Sequence, residues 1–360
     1  MEKLLILNPG STSTKLAVFE GDTPLFTESI THSPEELAPY EHVADQYEFR
    51  KELVIACLAR HEIPLESLDA IVSRGGLLTP IEAGAYEVND DMVWQLKNKP
   101  QNEHASNVGA MIARAIGVEY GIPAYIYDGV TVDELLPINK ITGVPFLRRK
   151  GMGHNLNTRA AAMRYARESG KGYEDITVIV AHLGGGISVN LHHNGKIEDF
   201  INDEEGPFSP ERSGGLPMFD VIKLCFDGDY TYHTMMNQVK RQGGLVAHLG
   251  TTDSREVEKM IQNGDEHAKL IYDAMALNVA KNIAKCAPGV CGKVDAIILT
   301  GGIAYSKYFT DYIREHVEFI APVVVYAGED EMRSLALGGL RVLRGEEKAK
   351  TFVKNENPGY

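Results

Sequence analysis

The stretch Asn8-Pro9-Gly10-Ser11-Thr12-Ser13-Thr14-Lys15 decides the fold, because it turns one apolar run into another. Lys3–Leu7 precedes it and Leu16–Glu20 follows it, and both runs are typical of buried β-strands. The proline, the glycine and the hydroxyl residues between them are typical of a tight turn. The sequence therefore predicts a β-hairpin with a small, hydroxyl-rich tip.

The same arrangement recurs at mid-chain. The apolar run Val178–Leu183 meets Gly184-Gly185-Gly186, and Ile187–His193 leads on to the turn Asn194-Gly195. In both places a polar turn follows about ten residues after the glycine of the tip, so the repeat covers a strand-loop-strand-turn module. A repeated module predicts two related domains.

Helix-like and strand-like segments alternate along the rest of the chain, which favours an α/β fold. The main predicted segments are helices at Ala44–His61, Ser106–Tyr120, Pro217–Phe226, Ser254–Asn263, Glu266–Ala287 and Met332–Arg344, strands at Ala70–Ser73, Ala124–Tyr127, Ala296–Thr300 and Val323–Tyr326, and a polar tail at Glu346–Tyr360. We expect a first domain over residues 1–147, joined by the C-terminal helix within 333–360, and a second domain over 148–332.

Composition argues against two classes of partner. Fifty acidic and thirty-six basic residues give a formal net charge of −14, whereas nucleic acids are held by basic surfaces. No apolar run approaches membrane-spanning length, and the first polar turn comes too early for a signal peptide. We therefore expect a cytoplasmic protein that binds neither nucleic acid nor membrane.

Both hairpin tips have the composition of a phosphate-binding loop. Small residues let backbone N–H groups approach an anion closely, and the hydroxyls of Ser11 and Ser13 and the ammonium of Lys15 add donors. A turn that is only rich in serine and threonine is the alternative at the first tip. The three glycines of the second tip offer the same open backbone, and Gly301-Gly302, after another predicted strand, is a weaker third candidate.

The chain contains neither the P-loop nor the dinucleotide fingerprint. Its duplicated hairpins instead resemble those of the ATPase superfamily that contains actin, sugar kinases and heat-shock chaperones. Asn8–Lys15 is similar to the opening signature of acetate and butyrate kinases, and His182–Val189 is similar to their second signature. Further resemblances cover most of the chain and lie at Ser73–Gly76, Tyr127–Gly129, Gly153–Asn157, Glu211–Gly215, Thr252–Arg255 and Leu299–Ile303. The residues around Arg74 and His154, and the shorter chain, favour the butyrate branch.

This resemblance implies a fold of two duplicated actin-like (ribonuclease H-like) α/β domains with an ATP cleft between them. It implies the reaction of ATP with butyrate, a short-chain fatty acid, to give butyryl phosphate and ADP, and it suggests a homo-oligomer. Acetate, propionate and branched-chain fatty acids are the alternative substrates. A chaperone-like or filament-forming actin-fold ATPase is the alternative of another class.

Such a reaction is mainly a problem of charge, since a carboxylate is ionised at neutral pH and needs no strong base. The resemblance assigns Arg212 to the transferring phosphoryl group and Arg74 to the substrate carboxylate or the phosphoryl group. It assigns His154 a hydrogen bond to the phosphoryl group, and we expect Asp128 to orient the arginines or a metal-bound water. The alternatives are a surface arginine at 212, a structural salt bridge at 74, a core histidine at 154 and a helix cap or turn at 128.

The remaining assignments concern ATP, ADP and Mg²⁺. The expected nucleotide-binding residues are Asn8, Ser11, Ser13, Lys15, His182, Gly184, Gly185, Gly186, Asp253, Arg255, Gly301 and Gly302. Magnesium prefers oxygen ligands and keeps several waters, and the resemblance suggests Asn8 with one acid among residues 329–331, of which we choose Glu331. An acidic helix N-terminus is the alternative at Glu331, and a core histidine is the alternative at His182.

Overall fold

The computed structural model describes residues Met1–Glu356. Within them the chain forms two compact units. Unit 1 consists of Met1–Asp133 together with the C-terminal segment from Asp330, and unit 2 is Glu134–Glu329. Unit 1 is therefore assembled from both ends of the chain, whereas unit 2 is continuous.

The first boundary lies closer to the N-terminus than the sequence suggested, at residue 133 instead of 147. The segment that follows Asp133 is held by strand residues of unit 2. Leu136 N and Asn139 Nδ2 both donate hydrogen bonds to Glu198 O, and Ile197 N donates to the carboxylate of Glu134. These contacts are long-range, which is why local composition does not indicate them.

Twelve strands and twelve α-helices are present within the described residues. The strands are β1 (Lys3–Gly10), β2 (Ser13–Glu20), β3 (Thr23–Thr31), β4 (Ala70–Arg74), β5 (Ala85–Glu87), β6 (Ala124–Tyr127), β7 (Val178–Leu183), β8 (Ile187–His193), β9 (Lys196–Ile201), β10 (Ala296–Gly301), β11 (Val323–Ala327) and β12 (Lys350–Thr351). The α-helices are α1 (Pro34–Leu37), α2 (Tyr47–Arg60), α3 (Asp90–Asn98), α4 (Asn107–Tyr120), α5 (Asn155–Glu168), α6 (Met218–Phe226), α7 (Tyr232–Lys240), α8 (Leu245–Leu249), α9 (Ser254–Gln262), α10 (Glu266–Cys286), α11 (Lys307–Val317) and α12 (Glu331–Leu343). None of these helices combines the length and the apolar character needed to cross a bilayer.

Local sequence explains where several helices begin and end. The side chains of Asp253, Asp265 and Ser306 accept hydrogen bonds from backbone N–H groups in the first turns of α9, α10 and α11. Helix α4 ends at Gly121, whose φ of 71° is costly for residues with a Cβ. These capping residues fix the helix ends that the hydrophobic periodicity alone leaves uncertain.

Unit 1 is built on a seven-stranded sheet with the order β12-β5-β6-β4-β1-β2-β3. Strands β1, β4 and β6 are parallel, and β1-β2-β3 form an antiparallel meander. The side chains of Leu4–Leu7 are fully buried, as expected for a strand covered on both faces. Gly109 of α4 packs against Ser73 and Gly339 of α12 against Val72, so the two helices lie on opposite faces of the sheet.

Unit 2 repeats this topology in a five-stranded sheet with the order β11-β10-β7-β8-β9. Strands β7-β8-β9 form the meander, and β10 and β11 run parallel to β7 on its other side. The order is that of β6-β4-β1-β2-β3 in unit 1. The duplication predicted from the two hairpin tips is therefore confirmed.

Alternate residues of the central strands of unit 2 build two apolar layers. Ile179 and Ala181 pack into a core that contains residues of α10, whereas Val178 and Val180 pack with alanines of α5. Successive strand residues point to opposite faces, so the strand is buried on both sides. This explains why the run Val178–Leu183 is continuously apolar instead of alternating.

Two parts of the fold differ from the sequence expectation. Strands β3 and β9, which complete the two meanders, are not predicted, since β3 is an edge strand with alternating exposure and many polar residues. The predicted polar tail contains β12, which pairs with β5, and the buried side chain of Phe352, whose carbonyl oxygen accepts a hydrogen bond from Asn89. The tail prediction is wrong up to Glu356, and its last part, residues 357–360, lies outside the described residues.

Candidate active site

Three predicted site residues of unit 1 lie at one edge of its sheet. The parallel pairing of β1 with β4 ends at Ser73, and that of β4 with β6 ends at Arg74. Asn8 is the first residue of β1 beyond its pairing with β4, and Asp128 is the first residue after β6. Both therefore lie beside Arg74 at the end of β4. The carboxyl edge of a parallel sheet is the usual place for ligand-binding side chains in open α/β folds.

Glu331 joins this group from the first turn of α12. Its carboxylate accepts a hydrogen bond from Asn8 Nδ2 at 2.7 Å and forms an ion pair with Arg74 Nη1 at 3.1 Å. The structure therefore brings together both predicted magnesium ligands and the predicted substrate arginine. Glu331 also fits the alternative description, because an acid in the first turn of a helix interacts favourably with the helix dipole.

His104 is a neighbour of this group that the sequence did not indicate. Burial, and after it the positive charge of Arg74, lowers the pKa of His104 below its ordinary value. Its Nδ1 lies 2.8 Å from Ser106 Oγ, just before α4. A lone histidine in a loop without a motif gives no signal that would have identified it.

Asp128 has a structural contact of its own. It is 4% exposed, and its φ of 42° lies in the left-handed region that aspartate tolerates better than most residues. Its Oδ1 accepts a hydrogen bond from Gly84 N at 2.7 Å, and its own N–H donates to Gly84 O at 3.2 Å. This carboxylate therefore holds the residue before β5 against the end of β6, and the proposed role with the arginines stays a prediction.

The first hairpin tip is shorter than the sequence suggested. Strands β1 and β2 extend to Gly10 and Ser13, so only Ser11 and Thr12 form the turn, and both are exposed. Ser13 and Lys15 point to one face of β2, and Thr14 points to the other, where it is fully buried. The predicted donors Ser11, Ser13 and Lys15 are thus at the tip or on one face beside it, with Asn8 opposite Lys15 in register.

The glycine segments of unit 2 lie side by side at the carboxyl edge of its sheet. Strands β7 and β10 are adjacent and parallel, and they end at Leu183 and Gly301. The φ of Gly301 is 91°, and a Cβ there would lie 2.4 Å from Leu183 O, so only glycine fits. Gly301 and Gly328 exchange backbone hydrogen bonds, which adds the segment after β11 to the same edge.

Arg212 is held directly against the triple-glycine tip. A Cβ on Gly186 would lie 2.5 Å from Arg212 Nη1, and that nitrogen donates a 2.6 Å hydrogen bond to Asp203 Oδ2. Ser209 Oγ donates a 2.6 Å hydrogen bond to Gly185 O. The second signature and the Arg212 loop therefore form one structure. Asp203 and Ser209 were not predicted, since their positions show no pattern in the sequence.

The two predicted histidines of unit 2 stack on each other. The ring centroids of His154 and His182 are 4.1 Å apart at an interplanar angle of 22°. His182 Nε2 lies 3.4 Å from Glu329 Oε2, and His154 Nδ1 lies 3.2 Å from Ser188 Oγ. His182 is 2% exposed, as the core alternative expects, yet it ends the strand that leads into the glycine tip. Glu329 also accepts a 2.9 Å hydrogen bond from Asn157 Nδ2.

Asp253 and Arg255 form a pair at the start of α9. Asp253 Oδ1 accepts from Arg255 N at 2.9 Å, and Asp253 Oδ2 lies 2.6 Å from Arg255 Nη2. The hydrogen bond from the Arg255 side chain lowers the pKa of Asp253 to about 2. Within residues 1–356 the side-chain partners of this pair are not other predicted site residues, so the structure shows a helix cap. The expected contact with adenosine stays a prediction.

Each unit therefore offers groups that suit phosphate chemistry. Unit 1 supplies an amide, a carboxylate and an arginine at one sheet edge, beside a tip with exposed hydroxyls. Unit 2 supplies open glycine backbone, an arginine and two imidazoles at its own sheet edge. Arginine, backbone N–H and imidazole donors stabilise phosphoryl oxygens, and carboxylate and amide oxygens bind Mg²⁺.

Comparisons with known proteins place these features in context. The sequence pattern described as the Acetokinase family matches residues 140–323. Butyrate kinase 2 of Clostridium acetobutylicum is 50% identical over 352 residues, which cover 97% of this chain and 99% of that protein. Butyrate kinase 1 of the same organism is 49% identical over 354 residues, which cover 98% of this chain and 100% of that protein.

A solved structure has the same fold. The crystal structure of acetate kinase from Porphyromonas gingivalis matches with a TM-score of 0.78 and 19% identity, over 95% of this chain and 100% of that chain. Likeness at this identity concerns the fold alone. Together with the two sheets described above, it confirms the predicted fold class of actin-like α/β domains.

Proposed function

The chain belongs to the acetokinase family, and from that premise we propose that it transfers the γ-phosphoryl group of ATP to the carboxylate of butyrate, giving butyryl phosphate and ADP. Enzymes of this family phosphorylate a carboxylate with ATP. The observation that carries the proposal is the position of Arg212 over Gly186, where a guanidinium meets a phosphate-binding type of loop. Near-full-length identity of 50% to a butyrate kinase supports butyrate as the acid.

The bond changes of this reaction need no proton transfer to or from the acceptor. A carboxylate oxygen of butyrate forms a bond to the γ-phosphorus, and the bond from that phosphorus to the oxygen shared with the β-phosphate breaks. ADP leaves with the electron pair. Carboxyl groups with pKa values of about 4 to 5 are ionised at neutral pH, so positioning and charge neutralisation are the tasks of the protein.

We assign the main electrostatic role to Arg212. A guanidinium has five N–H donors, so the single hydrogen bond to Asp203 orients it and leaves capacity for phosphoryl oxygens. His154, stacked on His182 and bonded to Ser188, has a fixed ring plane from which to donate to the phosphoryl group. Arg74 is the candidate for the butyrate carboxylate, and Asp128 is the candidate to orient this arginine.

The nucleotide-binding assignments follow the two tips. We propose that Asn8, Ser11, Ser13 and Lys15 in unit 1 contact the phosphates of ATP. In unit 2 we propose the same role for a second set, His182, Gly184, Gly185, Gly186, Gly301 and Gly302, and adenosine contacts for Asp253 and Arg255. The tight packing at Gly186 and Gly301 supports this, because a Cβ at either position would lie within 2.5 Å of a neighbouring atom, so both positions keep the open backbone that can approach an anion.

Magnesium fits the residues present in unit 1. Asn8 and Glu331 offer amide and carboxylate oxygens, and the 2.7 Å hydrogen bond from Asn8 Nδ2 to the Glu331 carboxylate holds the two side chains next to each other. We propose Asn8 and Glu331 as the protein contacts of Mg²⁺. When bound, the ion offsets the charge of the β- and γ-phosphates.

We propose a second copy of the chain as the macromolecular partner. The helix α6 has no buried residue, and Phe219 and Phe226 on it are 88% and 86% exposed. Short helices depend on packing for stability, so the apolar side chains of this helix require a surface to pack against. Asp220 and Lys223 lie beside the aromatic residues, and opposite charges on one short helix suit a two-fold contact between identical surfaces. A cytoplasmic location and the absence of a nucleic-acid partner stay predictions.

A hydroxamate assay tests the function. The protein with ATP, Mg²⁺ and acetate, propionate, butyrate or isobutyrate should form acyl hydroxamate in the presence of hydroxylamine, fastest with butyrate. Overlap among acids is expected, because one methylene in an apolar pocket discriminates by only about 1 to 3 kcal/mol. ATP hydrolysis that is indifferent to every acid would instead support the chaperone-like or filament-forming alternative.

The variant Arg212→Ala tests the role that we assign to Arg212 from its position over Gly186. We expect loss of hydroxamate formation by about a thousandfold with ATP binding retained, since the lost interaction belongs to the transferring group. Arg314→Ala is the matched control, because Arg314 is an arginine of α11 whose ion pair is with Asp311. Undiminished turnover by Arg212→Ala would remove this arginine from the mechanism.

A further inference from the structure

A fully buried arginine lies beneath the first hairpin tip. Arg50 of α2 is 0% exposed, and its side chain makes hydrogen bonds through all three guanidinium nitrogens. Nη1 donates to Gly10 O at 2.8 Å and to Ser13 O at 3.0 Å, and Nη2 donates to Ser11 O at 3.2 Å. One side chain therefore holds three carbonyl oxygens of the tip.

The remaining hydrogen bonds of Arg50 also go to neutral oxygens. Nη1 donates to Thr14 Oγ1, and Nε and Nη2 both donate to Gln46 Oε1. Among the described residues no carboxylate forms an ion pair with this guanidinium. Burial lowers the pKa of Arg50 to about 10, so the group still carries its positive charge at neutral pH. A buried charge without a counter-ion is costly and rarely kept without a role.

Each carbonyl oxygen of residues 10–13 accepts a hydrogen bond. Arg50 donates to the carbonyl oxygens of Gly10, Ser11 and Ser13, and His32 N donates to Thr12 O at 2.8 Å. Carbonyl oxygens repel anions, so a loop that binds phosphate must keep them away from it. The tip meets this requirement because Arg50 of α2 and the backbone N–H of His32 supply the donors.

We propose that Arg50 is a positioning residue for ATP, which fixes the backbone of residues 10–13 in an anion-binding conformation and contributes a positive charge that is not paired with a carboxylate of residues 1–356. The proposal rests on the function proposed above, since it takes the tip as a binding site for the phosphates of ATP. Arg50 does not touch the phosphates in this account. It acts through the carbonyl groups that it holds.

Lysine would replace the charge of Arg50 but not its geometry. A guanidinium presents donors in a planar fork, whereas an ammonium is a compact group that cannot reach separated acceptors in the same way. Glutamine would lose both the charge and the fork. The pair Arg50→Lys and Arg50→Gln therefore separates the two contributions.

The experiment measures binding of ATP and of AMP to the full-length variants by calorimetry, after thermal unfolding has shown that they are folded. We expect Arg50→Lys to bind ATP about tenfold more weakly and Arg50→Gln more weakly still, while AMP affinity stays within twofold. A merely structural role would change both nucleotides alike or neither. Arg60→Gln on the same helix is the control, because Arg60 is exposed and pairs with Glu28.

A second variant keeps the test decisive if the Arg50 variants do not fold. Gln46→Met removes the acceptor that orients the guanidinium and leaves the residues of the tip unchanged. We expect a few-fold loss of ATP affinity without a change for AMP. Unchanged ATP affinity in folded Arg50→Gln, or in Gln46→Met, would overturn the proposal. Failure of the wild-type protein to form hydroxamate while it binds ATP would refute the function and leave this inference standing.

Discussion

Asn8 and Glu331 are joined by a hydrogen bond of 2.7 Å although 323 positions separate them in the sequence. Asn8 lies on the interior strand β1, and Glu331 opens α12, which packs on that strand. The same carboxylate also pairs with Arg74 at the end of the neighbouring strand β4. The first turn of the last helix thereby completes a polar group that begins with the first strand.

The variant Glu331→Gln should raise the Mg²⁺ concentration needed for half-maximal turnover by about tenfold or more, because an amide oxygen binds Mg²⁺ less tightly than a carboxylate. The fold should persist, since the amide oxygen still accepts from Asn8. Turnover measured against free Mg²⁺ checks this. Glu329→Gln is the comparison, and a shift seen only there would move the metal contact to Glu329.

The variant Gly186→Ala should lower kcat at least tenfold, because its Cβ would occupy space 2.5 Å from Arg212 Nη1 and displace the guanidinium. The loss should nearly vanish when the alanine is introduced into Arg212→Ala, since the group that it displaces is then absent. A double-mutant cycle on kcat measures this coupling. Additive losses would contradict the mechanism, and Gly143→Ala, with open space around the added Cβ, controls for glycine replacement as such.

Mild acid should destabilise the protein, because His192 takes up a proton more readily in the unfolded chain than in the folded one. Burial, and then the charge of Arg159, lowers the pKa of His192 to about 3, whereas an unfolded histidine titrates near 6.5. Below pH 6.5 the unfolded chain therefore binds a proton that the folded chain does not, and stability falls as pH falls towards 3. From pH 7 to pH 5 this group should cost about 2 kcal/mol of unfolding free energy.

Urea unfolding of wild type and His192→Gln at pH 7 and pH 5 checks this prediction. Glutamine can keep the polar contact with Tyr173 but cannot titrate. The loss of stability between the two pH values should therefore be about 2 kcal/mol smaller in the variant. Equal losses would show that another group governs the acid response.

The variant Phe219→Asp should dissociate the homo-oligomer, because a carboxylate at the centre of an apolar contact would be buried without a partner. Light scattering coupled to size-exclusion chromatography would report a lower mass. Phe319→Asp is the matched control, since Phe319 is also exposed but lies outside α6. An unchanged mass for Phe219→Asp would exclude α6 as the contact surface.

The sequence predicted those parts of the fold that depend on local patterns. The two hairpins were recognisable because glycine, proline and hydroxyl residues interrupt continuous apolar runs, and the repeat of this pattern indicated the duplicated sheets. The edge strand β3 was missed because its residues alternate in exposure and include several polar ones. Propensity alone is a weak guide at such positions, where packing on a neighbouring strand decides the structure.

The candidate site was predictable where motifs carry it and not where tertiary contacts do. Arg212, His154 and the glycines belong to recognisable motifs. Arg50 and Asp203 do not, because their partners lie far along the chain or in an irregular loop, and only the folded backbone brings them together. At Asp253 the structure shows a helix cap, and the contact with adenosine that the motif suggests stays a prediction.

The division of unit 1 between the two ends of the chain has a consequence for synthesis on the ribosome. Unit 2 is continuous, so its sheet is complete before α12 has been translated, whereas β1 and β4 must wait for this helix to cover them. The buried side chains of Met332 and Leu335 are translated only after β1, β4, β6 and all strands of unit 2. A nascent chain released before that point would expose the apolar face of its first sheet. A short C-terminal truncation should therefore harm the fold more than the small number of missing residues suggests.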